Sequence, residues 1–278
     1  MSIFFNKENH AECGKVCKSN CLSYTYDQSA KECRTLTKKL CRDNTAPNLP
    51  IMAFTKVVSI PINAYPTDCS EIDTAVYCSG VYRITPSPGV SFDVYCDLDT
   101  ADGPWTVIQN RQNGNVEFFR TWEDYKNGFG DLHGNFWLGN EHIHQLTIST
   151  SVLLIVLMSW LGDTGHAQYS TFKVEDETED YRLTVSGFSG NVTYDGMATH
   201  HGMKFSTFNR DNDQFASNCA ELYKGGWWYN HCYDSNLNGG SYINSVNERS
   251  IPVWKWFYED IHYTPMMKTK MLLKRSLS

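Results

Sequence analysis

The 278-residue sequence predicts an α+β protein held together by disulfides. Three observations carry that expectation. Apolar and polar residues alternate through Gly80–Ile84 and Ser91–Cys96, the pattern of half-buried strands. The seven-residue apolar run Val152–Met158 has no alternation and predicts a central strand covered on both faces. Ten cysteines contain no CxxC pair, which points to disulfides and an oxidising compartment rather than a thiolate metal centre.

In chain order, residues 1–41 carry Cys13, Cys17, Cys21, Cys33 and Cys41. The first three fall at i, i+4 and i+8, one face of a short helix with Asn9 in the N-cap position. An iron–sulfur centre would need a reducing setting, so disulfides are the expected use. Residues 42–67 hold Pro47, Pro50, Pro61 and Pro66 around the β-favouring stretch Ile51–Ile62, and read as a linker or edge strand. Tyr181–Val185 is a further strand, and Asn191-Val192-Thr193 is the glycosylation sequon of the chain.

At 41% apolar and 20% charged residues the composition is that of a globular protein, long enough for one sizeable domain and a smaller one. A net charge of −7 argues against a nucleic-acid binder. No apolar run approaches the length of a membrane span. Met1–Lys7 lacks the apolar core of a signal peptide, so a secreted protein present as a mature fragment or with an incomplete start is expected.

The densest chemistry lies between Phe205 and Tyr242. Asp211 and Asp213 sit two apart in a polar run without helical period, hence in a loop. Carboxylates at that spacing followed by free carbonyls suit Ca2+, which takes six to eight oxygens in loose geometry. An Asx turn bonded to its own backbone would use the same residues. Cys219 and Cys232 flank Trp227, Trp228 and Tyr229; a bridge between them would stabilise the fold by roughly 3 kcal/mol. Those aromatics either line a small pocket or belong to the core.

The motifs Lys204-Phe205-Ser206-Thr207, Asp211-Asn212-Asp213, Asn218-Cys219-Ala220, Gly226-Trp227-Trp228-Tyr229 and Ser235-Asn236-Leu237-Asn238-Gly239 resemble the fibrinogen-related domain. That family includes the fibrinogen C-terminal globes, ficolins, angiopoietins and tenascin globes. The likeness continues through Asp68-Cys69-Ser70-Glu71-Ile72, Trp105–Arg111 and Phe136-Trp137-Leu138-Gly139, so the domain is expected over 68–278. It implies a central twisted antiparallel sheet with a loop-rich calcium and ligand subdomain. It also implies a Cys69–Cys96 bridge and a calcium ion held by Asp211, Asp213 and the carbonyls of Phe215 and Ser217. Residues 1–41 resemble a partial PAN/apple module, which would pair Cys13 with Cys33 and Cys17 with Cys21. Cys41 and Cys78 are left unassigned, with a bridge between the two modules as one use for them.

In ficolin-like members a pocket beside the calcium takes N-acetyl groups. By position, Tyr223 would contact the acetyl methyl, and the His231–Cys232 peptide, often cis in the family, would present its backbone donors. Tyr233 stands where acetyl binders usually have His. The resemblance therefore implies a secreted, calcium-dependent lectin of innate immunity that recognises N-acetylated glycans on microbial or cell surfaces, with a homo-oligomer among its expected forms. The alternative is a protein ligand in adhesion or receptor signalling.

Catalytic patterns are absent: no G-x-S-x-G elbow, no HExxH and no P-loop. Gly128-Phe129-Gly130 lacks the spacing and the βαβ surroundings of a dinucleotide loop. His142 and His144 would share a face only on a strand; the resemblance puts them in a structural turn.

Overall fold

The computed structural model describes the backbone of strands at 2–6, 23–27, 32–36 and 54–55, and residues 65–276 apart from 76, 241, 246–249 and 259–260. The first four strands, β1 (Ser2–Asn6), β2 (Ser23–Asp27), β3 (Glu32–Leu36) and β4 (Phe54–Thr55), form an antiparallel sheet in the order β1-β3-β2-β4. The expected helix through Cys13, Cys17 and Cys21, and the pairings Cys13–Cys33 and Cys17–Cys21, lie outside the described residues.

Among the described residues, eleven strands make one large sheet. Its spine comprises β5 (Gly80–Ser87), β6 (Val90–Asp97), β7 (Trp105–Arg111), β10 (Ser151–Ser159), β11 (Thr164–Val174), β12 (Leu183–Gly190) and β15 (Ile261–Arg275). The spatial order is β12-β11-β10-β15-β7-β6-β5. β15 joins two runs of sequential antiparallel strands, pairing Leu154 with Leu272 on one side and Leu272 with Val107 on the other. β8 (Phe129–Gly130), β9 (Phe136–Trp137), β13 (Ser235–Asn236) and β14 (Val253–Tyr258) attach off this path.

β10 is central, as its apolar run predicts, but only one face is sealed. Leu153, Ile155 and Leu157 are wholly buried, whereas Val152, Val156 and Met158 are half-buried. A strand with period two presents alternate residues to opposite faces, and here the second face is only partly covered. The strand expected at Tyr181–Val185 begins at Leu183, because Asp180 and Tyr181 both take positive φ (52° each) and turn the chain first.

Helices are short. α1 (Trp122–Asn127) starts on a capping box: the Asp124 N–H donates to Thr121 Oγ1, and the Thr121 N–H donates to the Asp124 carboxylate. It buries Trp122 and Tyr125. α2 (Asn140–Leu146) carries both His142 and His144, which corrects the expected turn. On a helix, positions two apart diverge, and the Nδ1 of each ring is engaged with a backbone carbonyl, of Leu138 and Val174 respectively. The pair is structural. Gly128, at φ 90°, lies where a Cβ would come within 2.4 Å of the Leu138 carbonyl oxygen, so this glycine serves close packing.

Trp227, Trp228 and Tyr229 are all wholly buried, so the aromatic run is core and not pocket wall. Trp228 packs among Phe205, Phe172 and Trp137 with ring centroids 5.2–6.1 Å away, and its Nε1 donates to the Tyr181 carbonyl. The segment that follows the acidic loop is thereby nailed to the sheet.

Candidate functional site

Two disulfides stand as expected. Cys69–Cys96 ties the first turn of the globe to β6, and Cys219–Cys232 closes the bracket around the aromatic run. Cys78 is also disulfide-bonded.

The acidic loop is built by short polar reaches. The Asn212 N–H donates to Ser206 Oγ and its Nδ2 to the Phe205 carbonyl, pinning the middle of Asp211-Asn212-Asp213 to the preceding strand-like segment. The Gln214 N–H donates to the Asn230 carbonyl, which ties the loop to the far side of the cysteine bracket. Asn218 caps the five-residue α3 (Cys219–Tyr223): its Oδ1 accepts from the Glu221 N–H, and its Nδ2 donates to the carbonyls of Thr207 and Phe208.

Asp211 and Asp213 are brought together. The Asp213 N–H donates to Asp211 Oδ1 at 3.2 Å. The Asp213 carboxylate accepts at 2.8 Å from the N–H of Phe215 and at 2.8 Å from that of Cys219. Burial pushes the Asp213 carboxyl above its ordinary range, the Asp211 charge adds to that, and the two backbone donors work against it. Phe215 and Ser217 follow on the same exposed loop. Among the described residues no group of three or more His, Cys, Asp or Glu side chains is arranged to hold a metal ion, so a cation here would need carbonyls and water beside the two carboxylates.

Sequence reasoning missed how the loop is held from behind. Arg210, next to Asp211, pairs with Asp180, and its guanidinium lies 3.9 Å from the centroid of the Trp122 ring. Lys204 pairs with Asp180 at 2.8 Å, and those cations hold the Asp180 carboxyl low against its partial burial. Asp180 lies thirty positions before Arg210, and no local pattern announces the partnership.

The four expected ligand residues do not make an open pocket. Tyr233 is buried at 8% exposure, and its ring sits 4.7 Å from that of Tyr223, 5.3 Å from Tyr263 and 6.4 Å from Tyr229. Its ring therefore fills space against Tyr223. Among the described residues Gly103–Pro104 is the cis peptide, so the His231–Cys232 bond is trans; the turn is made instead by Cys232 at φ 68° and a bond from the Asn230 N–H to the Cys232 carbonyl. His231 is exposed at its apex.

Two large apolar side chains are exposed on the elements flanking this turn. Phe215 is 44% and Leu222 49% exposed, and the Phe215 ring meets that of His231 edge-on at 6.5 Å. Behind it, His200 is wholly buried. Its Nδ1 donates to the Trp228 carbonyl, and its Nε2 accepts from the N–H groups of Asp234 and Ser235. Burial lowers its pKa to about 4.

Residues 65–276 match the family model of the fibrinogen beta and gamma chains, C-terminal globular domain. The chain belongs to that family. It is 43% identical over 194 residues to angiopoietin-related protein 7 of Mus musculus, covering 68% of this chain and 58% of that protein. Among solved structures it resembles the fibrinogen-like globe domain of human ANGPTL6, with TM-score 0.71 and 36% identity over 80% of this chain and all of that one (100%). It also resembles a lamprey fibrin D-dimer in complex with the peptide ligand Gly-His-Arg-Pro-amide, with TM-score 0.67 and 35% identity, covering 77% of this chain and 76% of that one. The chain spans a little over half the length of the angiopoietin-related proteins it matches, 56–58%. No helix among the described residues is long and apolar enough to cross a membrane.

Proposed function

We propose that this protein is a non-catalytic extracellular recognition protein whose globe binds another protein through the surface around the cysteine bracket. The observation that carries this reading is the pairing of a closed aromatic site with an exposed apolar rim. Tyr233 fills the space against Tyr223 that an acetyl group would need, while Phe215, Leu222 and His231 stand outside it. Exposed large apolar residues on the acidic loop and on the helix of the cysteine bracket favour a protein partner. Relatives carry names of the angiopoietin-related class, and one structural neighbour holds a peptide ligand. These support the protein-ligand alternative over the glycan lectin. Disulfides in the globe support an oxidising, extracellular setting.

Calcium belongs to the same reading as a support for the surface. Two adjacent carboxylates, one pushed upward by burial and by its neighbour, are relieved by a hard cation, and the following carbonyls of Phe215 and Ser217 complete an all-oxygen donor set. The ion would supply charge neutralisation and fix the loop bearing Phe215.

The test uses the chain made dimeric and applied to cells. Binding that is lost when surface proteins are shaved with trypsin, is unaffected by free N-acetylglucosamine, and weakens about tenfold in Phe215→Ala/Leu222→Ala supports this reading. Acetyl-selective retention on an N-acetylglucosamine resin, released by the free sugar, would overturn it in favour of the lectin.

A further inference from the structure

The half-covered face of the central sheet carries a groove of about 340 Å³ that none of the foregoing uses. Its floor is apolar, Leu154 and Val156 of β10. Its rim is polar: Gln168 and His166 of β11, the Thr100–Asp102 turn, and Asn191. That volume lies at the small end of ligand sites, about 300–1,000 Å³. It suits one amino-sugar ring with its acetyl group, not a branched antenna.

Asn191 heads the sequon Asn191-Val192-Thr193 and is exposed. Its backbone N–H donates to the His166 carbonyl at 3.1 Å, and its side-chain Oδ1 accepts from the His166 N–H at 2.7 Å. Those two bonds fix the amide on the groove's rim and engage its oxygen, leaving the transferable atom, Nδ2, at the other end of the planar group. Thr193, the hydroxyl position of the sequon, is exposed as well.

We propose that Asn191 carries an N-linked glycan whose first N-acetylglucosamine lies in this groove, the C–H face of the ring on Leu154 and Val156 and its hydroxyl and acetamide groups against the rim. The attachment is a group transfer from a lipid-diphosphate-linked oligosaccharide of the secretory pathway. The bond from Nδ2 to the sugar C1 forms, the bond from C1 to the diphosphate oxygen breaks, the lipid diphosphate leaves, and the amide proton passes to the transferase's base. The Oδ1 bond to His166 survives the reaction because only the nitrogen is substituted. A sugar so placed covers the part of the sheet face that Val156 leaves half open.

The experiment compares three forms of the full chain made in mammalian cells that retain high-mannose glycans: untreated, trimmed with endoglycosidase H to a single N-acetylglucosamine, and bare, from cells treated with a glycosylation inhibitor. Intact mass should show Asn191 occupied. The trimmed form should melt with the untreated one, and the bare form about 3 °C lower, the shift that about 1 kcal/mol produces in a domain of this size. In Val156→Thr, which changes the volume little and puts a hydroxyl into the apolar floor beside Leu154, the gap between trimmed and bare forms should shrink by at least half. An unoccupied Asn191 in the secreted chain overturns the proposal. So does a trimmed form that melts with the bare one, or a gap that Val156→Thr leaves intact.

Discussion

Replacing His200 with Gln should remove a large part of the acid sensitivity of this fold. His200 is held neutral by burial, with a pKa of about 4 against an ordinary 6.5. Between those values the unfolded chain binds a proton that the folded chain refuses. Stability from this residue is therefore complete above about pH 6.5 and drains as pH falls towards 4. At about 1.36 kcal/mol for each pH unit, the gap corresponds to roughly 3 kcal/mol. The structural cost is visible: a protonated Nε2 stops accepting from the N–H groups of Asp234 and Ser235, at 3.4 and 3.3 Å, and leaves two buried donors facing a cation. Nearby Asp234 and Asp195 soften the penalty without cancelling it. The assay is urea unfolding of wild type and His200→Gln at half-unit steps from pH 4 to 8. The difference between the two curves isolates this side chain, since the carboxylates and the other histidines titrate in both proteins. Wild type should be the more stable protein at pH 7.5, and the difference should contract by about 3 kcal/mol by pH 4. Two parallel curves would refute the reasoning.

Three further outcomes are expected. Asp211→Asn should lower the melting temperature in millimolar calcium and leave it unchanged in chelator, because a ligand bound only to the native state stabilises it by mass action; equal loss in both conditions would remove the calcium assignment. Cys219→Ala with Cys232→Ala should cost about 3 kcal/mol in denaturant unfolding, the loop entropy of a bridge spanning 13 positions. Gly225→Ala should destabilise by about 3 kcal/mol or more, since the added Cβ would sit 2.1 Å from the backbone oxygen of Asn238 and neither backbone can yield cheaply; a wild-type melting temperature would refute this close approach.

Much of the sheet was legible because alternation and an unbroken apolar run are properties of local sequence: β5, β6 and β10 fall where period and composition put them. The acidic loop was legible for the same reason, its polarity being local. What escaped depends on contacts made at long range. α2 is only seven residues, too short for a helical period to stand out from two histidines two apart. The Arg210–Asp180 pair and the stacking of Arg210 on Trp122 join residues that only the fold makes neighbours. Tyr233 reads as a functional position by resemblance, and only the crowd of Tyr223, Tyr229 and Tyr263 shows that its ring is occupied in packing. The face of β10 was misjudged because an apolar residue says nothing about whether a second layer covers it.

The position of β15 bears on how the protein is made. During synthesis β5, β6 and β7 can pair as they emerge, and so can β10, β11 and β12, yet the edges of β7 and β10 that β15 will occupy remain open. Each presents a row of unpaired backbone groups, a template for any other extended chain nearby. The last of the described strands to leave the ribosome is the one that closes both edges at once. Until then two half-sheets wait within one chain, and a message cut short before Ile261 would release them unjoined. Cellular quality control should therefore meet this protein chiefly as a pair of adhesive halves, and its yield should depend on how quickly the fifteen residues of β15 arrive.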